Sequence, residues 1–218
     1  MLKKTCVILG AGGHTRVLID CLQFSADINL AGILDPNPAL TGTSIYGIPV
    51  LGGDELLSQM STHGVEYFMI GVGGTGNNHP RQKLFELASE QGLKPLTVQH
   101  PTAIVSANAI IGDGCQLLPG CIINAGARLG LNVIVNSGAI VEHDCTIGNH
   151  VHLATGAKLA GTVQVGSGAH IGAGATIRQC LVIGAEAIVG AGSVVVKDVP
   201  ANQIVVGVPA KIFKKVSL

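Results

Sequence analysis

The stretch IVEHDCTIGNHVHLATGAKLAG, residues 140–161, gathers Glu142, His143, Asp144, His150 and His152 among small and aliphatic neighbours. Imidazole titrates near neutral pH, so a histidine here suits proton transfer. A carboxylate on its second ring nitrogen, from Asp144 or Glu142, would hold the tautomer and stabilise the imidazolium. The same residue types also ligate metal ions or line a solvated face. Which chemistry applies depends on the element that carries the stretch.

That element is a repeat. Every position met on stepping by six from Val105 to Val195 is Val, Ile or Leu. The residue four places later is mostly small, as at Ala109, Cys115, Cys121, Ala127, Ala139 and Cys145. The residue directly after the aliphatic is often glycine, as at Gly112, Gly130, Gly148 and Gly166. A beat of six matches neither the 3.6-residue helix nor a plain hairpin. It matches short parallel strands joined by tight corners, three hexads to a triangular coil, with coils about 4.8 Å apart. The aliphatic fills the interior at about 1.5–3 kcal/mol per buried side chain. The glycines are expected to supply backbone angles that side chains forbid. Cys115, Cys121 and Cys145 read as apolar filler.

In this frame Val141 and Cys145 point inward. Glu142, His143 and Asp144 therefore face outward or sit at a corner. His150 and His152 also avoid the interior positions, so all five are expected on the surface, without a buried structural role. Neighbours on an extended chain point opposite ways, but at a corner they can converge.

Composition narrows the alternatives. The 218 residues carry 13 basic and 13 acidic side chains, so no surplus points to nucleic acid or an anionic membrane. Aromatics are only 3% while glycine occurs 31 times, which suits thin repeated layers better than an ordinary globular core. No run of apolar residues is long enough for a membrane span. The N-terminal MLKKTCVILGAGG breaks at Gly10, unlike a secretory signal. Six cysteines without an export signal point to reduced thiols and a cytoplasmic location.

Upstream, TCVILGAGGHTRVLIDCLQ reads as a buried strand, a glycine turn and an amphipathic helix. Gly10-x-Gly12-x-x-Thr15 approximates a dinucleotide fingerprint with its third glycine replaced. INLAGILD is a second strand ending at Asp35. IPVLGG, a helix from about Asp54, the strand VEYFMIGVG and a helix from about Pro80 to Gln91 complete a small parallel α/β, Rossmann-like domain. Gly10, Gly12 and Gly13 set backbone N–H groups at a helix N-terminus, where phosphate oxygens bind. Asp35 suits hydrogen bonds to a ribose or base. A tight turn without ligand and an NAD-dependent oxidoreductase stay open on these residues. Against the oxidoreductase, the chain passes through LKPLTVQHPTAI (residues 93–104) straight into the repeat. The expected domains are residues 1–97 and 98–218.

Five segments together carry a family resemblance: GAGGHTRVLID, GVGGTGNNHPR, HPTAIVS, VNSGAIVEHD and IVVGVPAKIF. They resemble the PglD/NeuD-like sugar acyltransferases, bacterial enzymes of cell-surface carbohydrate synthesis, over nearly the whole chain. The resemblance implies that the hexapeptide-repeat solenoid is a left-handed parallel β-helix and that the chain forms a homotrimer. It implies acetyl-CoA in the groove between adjacent β-helices as co-substrate. The acceptor would be a sugar amine or hydroxyl, often on a nucleotide-linked 4-amino-4,6-dideoxy sugar. His143 stands at the family's general-base position and Asp144 at its carboxylate partner, where many relatives carry Glu. Asn136 and Glu142 fall at the acceptor. His152 falls at the acetyl carbonyl or CoA, and Gly156, Gly161 and Gly174 at the pantetheine arm. Lys211, with Lys214 and Lys215, falls at the CoA phosphates. In the first domain Gly10, Gly12, Gly13, His14, Asp35, Asn77, Asn78 and Arg81 are expected around the nucleotide sugar. His170 should stack on His152 one coil later. His150 has no counterpart and reads as surface.

Three activities follow. The first is N-acetylation of a nucleotide-linked 4-amino sugar, with His143 as base and direct attack on the thioester. The second is O-acetylation of a sialic acid-type sugar, which would share base and groove. The third is a solenoid that only binds a partner, against which the His143–Asp144 pair argues. No metal is expected: His143, His150 and His152 lack the spacing of the zinc site that γ-carbonic anhydrases build on this solenoid.

Overall fold

The computed structural model describes residues 3–74 and 76–216. The chain forms two compact units, Met1–Gly73 with Pro80–Val98, and Gly74–His79 with Gln99–Leu218.

The first unit is a sheet with helices. Its strands are β1 (Lys4–Leu9), β2 (Ile28–Leu34), β3 (Ser44–Ile45), β4 (Ile48–Gly52), β5 (Tyr67–Ile70) and β6 (Lys94–Pro95). They lie in the order β3-β4-β2-β1-β5-β6, antiparallel between β3 and β4 and parallel elsewhere. Central β1 buries Cys6, Val7, Ile8 and Leu9, a continuous apolar run that suits a strand covered on both faces. Helix α1 (Gly13–Leu22) buries Thr15, Leu18, Ile19 and Leu22, the spacing of one helical face. The helix expected from Asp54 is broken into a 3₁₀ turn (Asp54–Leu56), α2 (Leu57–Met60) and a second 3₁₀ turn (Ser61–His63). Helix α3 (His79–Glu90) packs Phe85 edge-on against Phe68, ring centroids 5.4 Å apart.

The second unit is a three-sided parallel β-helix. Among the described residues its faces are sheets of eight, six and five strands. Register advances by three hexads per coil, as in Gln116, Ile134, His152, His170 and Ile188 along one face. The aliphatic column and the small residues beside it form one buried core, from Cys115 and Leu117 to Val195. An antiparallel hairpin of Gln203–Val206 and Lys211–Lys215 ends the eight-stranded sheet.

The corners correct one expectation. Every sixth residue from Gly114 to Gly192 has positive φ, and that set includes Asn132, Asp144, His150, Thr162, Cys180 and Glu186. The left-handed turn thus falls three places after each aliphatic, not one. Glycines directly after the aliphatic do a different job: a Cβ at Gly112 would meet the carbonyl oxygen of Gly130 at 2.4 Å, and one at Gly166 the backbone of Ala185. They let successive coils approach.

Candidate active site at a corner of the solenoid

Glu142, His143 and Asp144 follow the strand Ile140–Val141 and precede Thr146–Ile147. Asp144 is the corner residue, at φ 60, a conformation that Asp tolerates better than most side chains. The turn swings its carboxylate back, so that Oδ2 lies 2.9 Å from His143 Nδ1. A carboxylate accepts, so Nδ1 carries the proton and Nε2 is left as the proton acceptor. Both side chains are exposed, 61% and 64%. Glu142 Oε2 accepts a hydrogen bond from Asn124 Nδ2 at 2.9 Å. Gly126 underlies the Asp144 carboxylate, and Gly161 meets the His143 ring. Sequence reasoning missed Asn124 and Gly126. The three-hexad step points to both, since they precede Glu142 and Asp144 by one coil.

His152 departs from expectation: it is buried, only 5% exposed. Gly74, which belongs to the same unit, packs against it: a Cβ there would come 2.6 Å from His152 Nδ1. Nδ1 lies 2.9 Å from the Gly74 carbonyl oxygen, so it donates there. Nε2 then accepts from Asn136 Nδ2 at 3.3 Å, while Asn136 Oδ1 accepts from the Ser137 N–H. His170 stacks edge-on at 5.0 Å as the register requires. Burial lowers its pKa to about 4, and its Nδ1 has no hydrogen-bond partner. Asn78, just before α3, is buried and donates to the carbonyls of Gly168 and Ala169. Asn77 Oδ1 caps the N–H of His79. His150 takes the left-handed corner at φ 59 and meets Asn132 Nδ2 at 3.0 Å.

The first unit arranges its expected residues around the glycine turn. Gly10 has φ 101, and a Cβ there would come 2.8 Å from Val72, so glycine is required. Gly12 caps α1 without a side-chain bond, and both Gly12 and Gly13 face open space. Their N–H groups lie at the positive end of the helix dipole. Asp35 accepts from the N–H of Ala11 at 2.7 Å and of Asn37 at 3.0 Å, bracing the turn. Thr15, in place of the third fingerprint glycine, is buried and ties the Gly10 carbonyl to that of Gly71. His14 is half-buried beside Gly73. Arg81 is fully buried and donates to the carbonyls of Ile70 and Val72, so it joins α3 to the end of β5. Asp54 was not singled out by sequence. Burial, then Glu55, then Asp35 hold its carboxyl above the usual range.

The expected CoA contacts divide. Gly156 and Gly174 stack at one corner of the prism, both at φ 66. Gly161 lies in the His143 column at another corner, between the six- and five-stranded sheets. Asn136 is likewise at the corner between the eight- and six-stranded sheets, so one chain does not bring it to His143. Lys211 lines a pocket of about 360 Å³ with Lys197, Asp198, Pro209 and Ile212. Lys214 and Lys215 are exposed beside it on the hairpin. Among the described residues no three His, Cys, Asp or Glu side chains are grouped to hold a metal ion. No described helix is long and apolar enough to cross a membrane.

A hexapeptide β-helix bearing an outward His–Asp pair, in one chain with an α/β unit that opens on a glycine turn, is the architecture of a β-helix acyltransferase. Residues 5–88 match the PglD N-terminal domain family. PerB from Caulobacter crescentus, solved with CoA and GDP-perosamine, is 38% identical across 96% of this chain and 97% of its own, with a TM-score of 0.90. The acetyltransferase domain of PglB from Neisseria gonorrhoeae is 34% identical over 97% of this chain and 100% of its own, TM-score 0.88. It was also solved with acetyl coenzyme A. A UDP-N-acetylbacillosamine N-acetyltransferase of Bacillus subtilis is 38% identical over 117 residues, 53% of this chain; the match spans 51% of that relative's length. The chain belongs to the PglD-like family of sugar acyltransferases, and its solenoid is a left-handed parallel β-helix.

Proposed function

We propose that the protein is an acetyl-CoA-dependent N-acetyltransferase that acetylates the amino group of a nucleotide-linked 4-amino-4,6-dideoxy sugar. The observation that carries this is the His143–Asp144 hydrogen bond at an exposed corner. The sugar amine attacks the thioester carbonyl, and its proton passes to His143 Nε2. Asp144 holds Nδ1–H and balances the imidazolium. The carbon–sulfur bond then breaks, the amide forms, and the imidazolium returns the proton to the CoA thiolate. The named substrates of the relatives, GDP-perosamine and UDP-N-acetylbacillosamine, support an amino sugar as acceptor rather than a hydroxyl.

Other roles follow from this reading. The open N–H groups of Gly12 and Gly13, with Gly10, Asp35 and His14, hold the nucleotide. Gly156, Gly174 and Lys211 serve CoA. Asn136 and His143 occupy different corners of one chain, which supports a homotrimer whose neighbouring β-helices meet corner to corner. A cytoplasmic setting agrees with an acceptor and a donor that are both activated metabolites. Asn78 and Arg81 donate to the chain's own backbone carbonyls, and Asn77 Oδ1 accepts from the N–H of His79.

Thiol release from acetyl-CoA, measured against UDP-, GDP- and dTDP-linked 4-amino sugars and against free sialic acids, tests the reaction. Turnover is expected with at least one nucleotide-linked amino sugar. Turnover with free sialic acids alone would replace this reading with O-acetylation. Light scattering is expected to return three times the mass of one chain.

A further inference from the structure

We propose that Gly161 is a positioning residue for His143: the side chain it lacks is the space in which the imidazole lies. The proposal rests on His143 being the base.

Gly161 follows His143 by three hexads and therefore sits one coil on in the same column. A Cβ built there would fall 2.5 Å from His143 Nε2, 2.6 Å from Cε1 and 3.2 Å from Cδ2. All three atoms belong to the ring. Two ordinary reasons for glycine do not apply. The first is backbone angle: Gly161 is outside the left-handed set that holds Gly156 and Gly174, and Ala125, His143 and Gln179 carry side chains at the equivalent place in neighbouring coils. The second is coil approach: Gly130, Gly148, Gly166 and Gly184 would each meet backbone atoms of the next coil, whereas the nearest atoms at Gly161 are those of the His143 side chain.

A methyl group at 161 leaves the chain path untouched and moves the ring. The ring is free to swing, since it is largely exposed. Swinging it separates Nδ1 from Asp144 and turns Nε2 away from the acceptor. Gly126 is related: a Cβ there would come 2.3 Å from Asp144 Oδ1. Its φ of 75 also serves the backbone, so Gly161 is the cleaner test.

The experiment compares wild type, Gly161→Ala, His143→Ala and the double variant by thiol release, with melting temperature as control. Gly161→Ala is expected to lower kcat by about 10²-fold, the scale of a misplaced catalytic group. KM for acetyl-CoA and for the sugar nucleotide should hold, as should the melting temperature. In the His143→Ala background the same substitution should cost nothing further. Full kcat in Gly161→Ala beside an impaired His143→Ala overturns the proposal. So does a raised KM for acetyl-CoA with kcat retained, an equal loss in both backgrounds, or a variant that fails to fold. Full activity in His143→Ala would instead remove the base itself, a different failure.

Discussion

Asp144 Oδ2 lies 2.9 Å from His143 Nδ1, although an extended chain sends consecutive side chains to opposite sides. The left-handed turn at Asp144 itself, φ 60, makes the contact possible. One residue thus serves both as corner and as partner of the imidazole.

His143→Ala is expected to lower turnover by about 10²–10⁴-fold if proton removal limits the rate. Folding should survive, because the side chain is 61% exposed. Thiol release and a melting curve on the same preparation check both halves. Near-normal turnover would take His143 out of the mechanism.

Asp144→Asn keeps a residue that accepts the left-handed turn. It replaces an obligate acceptor with an amide that can donate to Nδ1, and so releases the tautomer. A loss of about 10²–10⁴-fold in kcat is expected, with little change in stability. Asp144→Val should lose activity and also about 1–2 kcal/mol, the cost of a left-handed turn on a β-branched residue. Equal stability of the two variants in urea titrations would show that the corner does not select its residue.

Asn78→Ala removes the donor to the buried carbonyl of Gly168. The expected cost is about 1–3 kcal/mol, the desolvation of an unpaired polar group. The loss should appear in denaturant unfolding with KM for the sugar nucleotide little changed. A large KM effect at unchanged stability would return Asn78 to the substrate.

His170 makes a pH prediction. Burial against the neighbouring strands and the His152 ring lowers its pKa from 6.5 to about 4. Between those values the unfolded chain binds a proton that the folded chain does not, so unfolding becomes easier as pH falls. The full contribution is present above 6.5 and is lost progressively toward 4. The stability difference between wild type and His170→Asn should therefore shrink as the medium is acidified through that window. A difference independent of pH would mean that His170 is not held neutral.

Much of the solenoid was legible because its physics is local and repeated. An unbroken column of Val, Ile and Leu at steps of six admits few arrangements other than stacked coils. The same step placed Glu142, His143 and Asp144 outside the core and His170 beside His152. Less legible were effects one coil away, where the partner lies three hexads off: Asn124 beside Glu142, Gly126 under Asp144, Gly161 against His143. The glycines misled for the same reason, since those after the aliphatics answer to the next coil's backbone and not to their own φ.

By itself the sequence determined the three-sided parallel coil, the α/β unit before it and the outward setting of the 142–144 trio, because periodicity and burial follow from side-chain type alone. Tertiary structure decided which polar groups remain available. His152 looks exposed by period but is buried, with Nδ1 on the Gly74 carbonyl, and Asn78 and Arg81 each bond to backbone carbonyls. Such pairings join residues separated by 78 or 90 positions, or by only nine across a turn. No local pattern encodes them, because a hydrogen bond depends on where two groups finally meet.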